Sequence, residues 1–184
     1  MKIQIIGGSG AGKSTLAQYI SEKEKIKWID TDQYLWKDDT FTENHPIEKR
    51  LDMYQKDMES FSSYAVSVSI DSWYPQGFCS RELLVFLSLD DTIRLKRLRD
   101  RERQRENRNK SWWLDENREY TNDFLEWCKT YYTATDKSSA GTFAQHAYLM
   151  KISKSPVLKL DSSQPVEKLY DETMKEYKKY YPQR

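Results

Sequence analysis

The sequence predicts an α/β fold: a doubly wound, parallel, five-stranded sheet with helices on both faces. Three observations predict it. Short β-branched or apolar runs alternate with stretches of helical period along the chain. One of those runs, Leu83 to Leu89 (LLVFLSL), is almost continuously apolar, as befits a strand covered on both sides. A glycine-rich loop stands between the first strand and the first helix, where a parallel sheet places its ligand crevice.

Each element follows from local pattern. Lys2 to Ile6 is β-branched and bounded by glycines, so it reads as a strand. Ser14 to Glu22 places Leu16, Ala17 and Ile20 on one helical face. Ile26 to Ile29 is a second strand ended by Asp30, and Lys37 to Asn44 is polar loop. Pro46 opens a long helix with Ile47, Leu51, Tyr54, Met58 and Phe61 in register. Tyr64 to Ile70 alternates strictly, as a strand does, and Asp71, Ser72, Pro75 and Gly77 end it. After Leu83 to Leu89 comes a highly charged helix, Ile93 to about Arg105. A further helix is expected over Asp115 to Tyr132, with Tyr120, Phe124, Trp127 and Tyr131 in register. Thr133 to Thr142 reads as loop, Val157 to Leu160 as the fifth strand, and Val166 to Tyr177 as a closing helix. No linker divides the chain, so residues 1–184 are expected to form one domain.

Composition narrows the function classes. The chain has 184 residues, 38% of them apolar and 32% charged, with mean hydropathy −0.92. Its 13 Tyr, 6 Trp and 6 Phe supply a core from few residues, which separates it from disordered chains of similar polarity. A net charge of +1 argues against a general nucleic-acid binder. Cys79 and Cys128 are too few for a disulfide framework and form no zinc-type pair. No apolar run approaches the ~18 residues of a membrane span, and the short run before Gly7 is no signal peptide. A cytoplasmic protein without membrane partners is the expectation.

Gly7-Gly8-Ser9-Gly10-Ala11-Gly12-Lys13-Ser14 matches the phosphate-loop (P-loop) pattern G-x-x-x-x-G-K-[ST] at every fixed position. The small residues let successive backbone N–H groups curl around phosphate oxygens, and the helix that follows, through Thr15, aims its positive end at the same anion. Lys13 is placed to reach the β- and γ-phosphates, and Ser14 to offer its hydroxyl to Mg²⁺. Nucleoside triphosphate binding, with ATP and Mg²⁺ as cofactors, is the firmest functional expectation. Asp30 and Asp32 end the second strand at the same edge of the sheet. One carboxylate there can hold a Mg²⁺-bound water, and the other can orient an acceptor hydroxyl or take its proton.

These features resemble the small-molecule and nucleotide kinases of the adenylate kinase/shikimate kinase group, with a helical lid. More narrowly they resemble the bacterial kinases labelled topology modulation proteins. The likeness rests on GGSGAGKST, Asp30-Thr31-Asp32, Trp36 just beyond, Asp71 after the third strand, and an arginine-rich helix after LVFLSLD. It implies Asp30 for the metal and Asp32 for the acceptor. It implies Asp71 beside the metal or acceptor, since Asp71-Ser72-Trp73-Tyr74-Pro75 resembles the D-G-F-P-R run of adenylate kinases. Ser72 stands for the glycine, and Gln76 stands where the monophosphate-clamping arginine would be, which favours a neutral acceptor. Lys96 to Arg101 resembles the R-x-x-x-R segment leading into the lid, so Arg97 would lie against the adenine and Arg101 would reach the phosphates. The segment Arg94 to Arg118 holds ten basic and five acidic residues, net +5, which leaves −4 for the rest of the chain.

The expected enzyme is an ATP-dependent kinase of a small molecule (a nucleoside, nucleotide or hydroxy acid). Lys13, Asp32 and Arg101 are its expected catalytic residues, and residues 101–142 its lid. The acceptor is expected between Asp32, Trp36, the second helix with Arg50, Asp71 and Trp73. Trp112 and Trp113 are expected to anchor the lid to the core rather than to stack bases. His45 and His146 lack metal-spaced partners and are expected to do no chemistry. The label implies an alternative, an ATP-binding regulator of DNA topology with little kinase activity.

Overall fold

The computed structural model of the chain describes residues 1–38, 43–104 and 111–183. Five parallel strands make the central sheet: β1 (Lys2–Gly7), β2 (Lys27–Asp30), β3 (Tyr64–Ser67), β4 (Leu83–Ser88) and, after the hairpin described below, β7 (Val157–Asp161). Their order is β2-β3-β1-β4-β7, so the chain winds first to one side of β1 and then to the other. The carboxyl edge beside β1 is therefore the switch point, where open parallel sheets receive ligands.

Alternation along β1 sends its side chains to the two faces. Ile3 and Ile5 pack with Leu16, Ala17 and Ile20 of α1 (Lys13–Glu24) and with Leu169, Met174 and Tyr177 of α7 (Val166–Tyr180). Ile6 packs on the other face with Leu84, Phe86 and Leu149, the last from α6 (Phe143–Ile152). That face continues through Ile29, Tyr34, Tyr64, Val66, Ile70 and Phe78, against which Tyr54 and Met58 of α3 (Ile47–Ser60) pack. Tyr34 comes from α2 (Asp32–Leu35). The remaining helices are α4 (Asp91–Gln104) and α5 (Asp123–Lys129), packed together through Leu98, Leu125 and Cys128.

The doubly wound, five-stranded sheet agrees with the pattern of the sequence, and four details differ. The third strand stops at Ser67 rather than Ile70, because Val68 turns to a φ of 79° after its N–H meets Ile5 O at 2.9 Å. All four β3 residues are buried, since a second-position strand is covered on both faces whatever its alternation. The helix expected over Asp115 to Tyr132 is instead a hairpin, β5 (Trp113–Leu114) with β6 (Tyr120–Thr121), followed by α5. Asp115 Oδ1 accepts the N–H groups of Asn117 and Glu119 at 2.9 and 3.0 Å, and this turn outcompetes helix. Tyr120, counted in the helical register, is 56% exposed. Helix α6 was not expected at all, although Thr142-Phe143-Ala144-Gln145 is a capping signature. Thr142 Oγ1 accepts Gln145 N–H at 3.1 Å, and Gln145 Oε1 accepts Gly141 N–H at 2.9 Å. The expected lid, 101–142, thus holds the end of α4, the hairpin and α5; Arg105, Arg108 and Lys110 lie outside the described residues.

The sheet sets a strict limit at the start of the phosphate loop. Gly7 pairs with Leu87 of β4, and a Cβ on Gly7 would stand 2.5 Å from the Leu87 carbonyl oxygen. Both atoms belong to hydrogen-bonded backbone, so neither yields cheaply. Gly7→Ala is expected to cost about 2–4 kcal/mol from overpacking and backbone strain, lowering Tm by about 5–12 °C. Thermal unfolding followed by circular dichroism checks this, and an unchanged Tm refutes it.

Candidate nucleotide-binding and phosphoryl-transfer site

The loop from Gly7 to Gly12 leaves β1 and enters α1 at Lys13. Gly12, at φ 86°, caps α1 without any side-chain hydrogen bond, so the first-turn N–H groups have no side-chain acceptor. Ala11 N–H closes the loop on Gly8 O at 3.1 Å, and Lys13 Nζ donates to the same carbonyl at 3.0 Å. Ser14 and Thr15 follow on the first turn. This is an anion cradle with its ammonium already folded inward. Desolvation lowers the Lys13 pKa to about 8; the Asp32 carboxylate opposes that fall, and the Arg101 and Arg94 cations add to it.

The carboxylates come from the neighbouring edge. Asp30 ends β2 and Asp32 opens α2, and Asp32 N–H donates to Asp30 Oδ1 at 3.2 Å. Burial, then the adjacent Asp32 charge, hold the Asp30 pKa above the ordinary carboxylate value, while Lys13 acts to lower it. Lys13, Asp30, Asp32 and Arg101 therefore form one electrostatic group. Arg101 reaches it from α4, with its guanidinium 5.8 Å from the Phe124 ring centre. Arg97, exposed on the same helix, donates to Ser162 O at 3.4 Å, beside the loop that follows β7.

The acceptor-side residues separate into two groups. Arg50 of α3 lies with its guanidinium 5.9 Å over the Trp73 ring, and its Nε donates to His45 O at 2.8 Å. Trp73 meets Tyr34 edge-on at 6.4 Å, and Tyr34 lies on α2 two residues beyond Asp32. Trp36 ends α2, its N–H donating to Asp32 O at 2.9 Å and its backbone bridging Asn44. His45 N–H donates to Leu35 O at 2.9 Å, which ties the start of α3 to α2. Burial raises the Asp71 pKa, and the charge of Arg81, in the segment before β4, acts to lower it. Trp112 packs against the Leu98–Leu125–Cys128 cluster, as an anchor would, whereas Trp113 is 38% exposed on the hairpin.

Sequence reasoning missed the layer behind the loop. Arg94, the first of the ten basic residues of the segment 94–118, is 1% exposed. Tyr131 lies under it, with the guanidinium 4.9 Å from the ring, and its hydroxyl meets His146 Nδ1 at 3.1 Å. Nothing in one-dimensional charge pattern marks which of ten basic residues turns inward. His146, expected to do no chemistry, has a structural part in holding this layer. Burial, then the Lys13 charge, lower its pKa from 6.5 to about 3. The folded state thus binds fewer protons at His146 than the unfolded state does between those values. Its contribution is complete above pH 6.5 and is lost as the pH falls toward 3, at up to about 1.4 kcal/mol per pH unit. His146→Asn should flatten the dependence of urea-unfolding free energy between pH 7 and 5; an identical slope for both proteins refutes this.

A profile of the family described as AAA domain matches residues 3–121, which includes the loop, both aspartates and α4. The chain belongs to the AAA domain family. It is also 32% identical over 172 residues to the uncharacterized protein YqaC of Bacillus subtilis (strain 168), covering 94% of each chain. Its fold is that of the P-loop kinases of the shikimate kinase group. Superposition on shikimate kinase from Bacteroides thetaiotaomicron gives a TM-score of 0.58 at 14% identity, covering 94% of this chain and 96% of that one. A gluconokinase from Sinorhizobium meliloti 1021 gives 0.56 at 14%, covering 100% and 97%. A deoxyadenosine kinase from M. mycoides gives 0.53 at 16%, covering 96% and 98%. Among the described residues, no helix is long and apolar enough to cross a membrane.

Proposed function

We propose that this chain is a Mg²⁺- and ATP-dependent phosphotransferase acting on a small-molecule acceptor. The observation that carries the reading is the phosphate loop between β1 and α1, with Lys13 Nζ folded onto Gly8 O at 3.0 Å and the charges of Asp32 and Arg101 acting on it. The γ-phosphoryl group leaves its bridging oxygen as a bond forms to the acceptor oxygen. Lys13 and Arg101 neutralise charge on the moving group, and Asp32 orients the acceptor hydroxyl and takes its proton. Arg97 and the loop after β7 flank the base. Arg50 over Trp73, with Trp36 beyond α2 and Asp71 two residues before Trp73, forms the acceptor wall.

Magnesium fits the donors present. Two crowded carboxylates, one with a raised pKa, stand beside a loop built for phosphates, and Mg²⁺ ordinarily takes one or two protein carboxylates with phosphate oxygens completing its shell. Ser14 and Asp30 would hold it, and it would supply charge neutralisation to the phosphates.

The test is a coupled ADP-release screen over nucleosides, nucleoside monophosphates, sugar acids and shikimate, with Lys13→Ala as blank. A Lys13-dependent signal with one acceptor class is expected. A flat screen with tight ATP binding refutes the kinase and favours the nucleotide-binding regulator.

A further inference from the structure

We infer that Arg94 is a positioning residue for the phosphate loop: its buried guanidinium fixes the Ser9 peptide and joins the loop to the base of the lid. The inference rests on the nucleotide reading above.

A guanidinium that is 1% exposed must have its donors satisfied, because burial of an unpaired cation costs several kcal/mol. Arg94 meets that requirement in three directions. Nε and Nη2 donate to Asp91 Oδ1 at 2.8 and 2.5 Å, within its own helix. Nη1 donates to Ser9 O at 3.1 Å, in the middle of the loop. Nη2 also donates to Cys128 O at 2.8 Å, at the carboxyl end of α5. The flat face rests on Tyr131, which reaches α6 through His146. One planar fork thus connects α4, the loop, α5 and the turn before α6, a task a lysine ammonium cannot copy.

The contact with Ser9 has a directional consequence. In a trans peptide the C=O and the following N–H point opposite ways. Holding Ser9 O back against α4 therefore turns Gly10 N–H away from α4, to the open side of the loop where phosphate oxygens are received. The loop lies directly on this support. A Cβ on Gly8 would stand 3.2 Å from Arg94 Cδ and the Tyr131 ring, and one on Gly10 would stand 2.9 Å from Leu98 Cγ and 3.1 Å from Arg94 O. Gly10 also sits at φ 85°, so the position is closed to side chains twice over. Because Cys128 ends α5 within the 101–142 segment, the same guanidinium couples loop shape to lid placement.

The test is isothermal titration of the full chain with Mg·ATP and, separately, with inorganic tripolyphosphate. Arg94→Lys keeps the charge and loses the fork; it should weaken both ligands by about tenfold or more. Tyr177→Phe is the stability control, since it removes a buried hydroxyl bonded to Glu82 at 2.5 Å in a different part of the core. It should lower Tm and leave both affinities within about twofold. Asp91→Asn, at a 37% exposed carboxylate, loosens the fork without burying a new charge and should weaken both ligands severalfold; it stands in if Arg94→Lys does not fold. Parental affinity in Arg94→Lys, or in Asp91→Asn where that stands in, overturns the inference. So does an equal loss in Tyr177→Phe at matched Tm. A parent chain that binds neither ligand defeats the nucleotide reading first, and this inference with it.

Discussion

Lys13→Ala should lower ATP turnover by at least about a hundredfold while the protein stays folded, because a preorganised charge donor aimed at a developing anion supplies roughly 3–4 kcal/mol. Among the described residues the ammonium bonds only Gly8 O, at 3.0 Å, so its removal breaks one neutral-acceptor hydrogen bond there. Its desolvation, visible in a pKa lowered to about 8, means the native state bears a strain that alanine relieves. Stability and activity should therefore move in opposite directions: Tm equal or higher, turnover gone. ADP release and a thermal melt on the same preparation check both. Parental turnover in Lys13→Ala would place the phosphates elsewhere. A collapsed Tm would make the lysine a scaffold residue instead.

The sequence made the sheet and the phosphate loop readable for a physical reason. A buried parallel strand needs an apolar run, and a phosphate cradle needs small residues at fixed spacing; both demands act on neighbours in the chain. LLVFLSL became β4, and GGSGAGKST sits between β1 and α1. The layer that supports the loop answers no local demand. Arg94 shares its face of α4 with Arg101, two turns on, and what buries it is where α5 and Tyr131 dock against that face. The hairpin failed to show for the converse reason. Tyr120, Phe124, Trp127 and Tyr131 have helical spacing, but Asp115 and Asn122 each bind nearby backbone N–H groups and divide the stretch. Helix α6 has little amphipathic contrast, because it runs between the sheet and partly covered aromatic residues, so only its Thr142–Gln145 cap announced it. The charge of Arg81 on Asp71 was equally hidden in the sequence, since the two are ten positions apart and meet only through the turns between β3 and β4.

Asp32→Asn separates the two aspartates. Asn is nearly isosteric, keeps the start of α2, and removes the one carboxylate assigned to the acceptor proton. Turnover with the acceptor found by the screen should fall about 10²–10⁴-fold, in kcat rather than in ATP affinity. Asp30→Asn should behave differently. Burial and then the adjacent Asp32 charge raise the Asp30 pKa, a cost that a bound cation would relieve. Loss of the Asp30 carboxylate should appear as a higher magnesium requirement, with activity largely restored when the ion is raised. Magnesium titrations of both variants at saturating ATP decide the assignment. If Asp32→Asn is the variant rescued by magnesium and Asp30→Asn is not, the roles are exchanged. If neither variant loses more than about threefold, the proton leaves by another route, and the transfer depends on Lys13 and Arg101 alone.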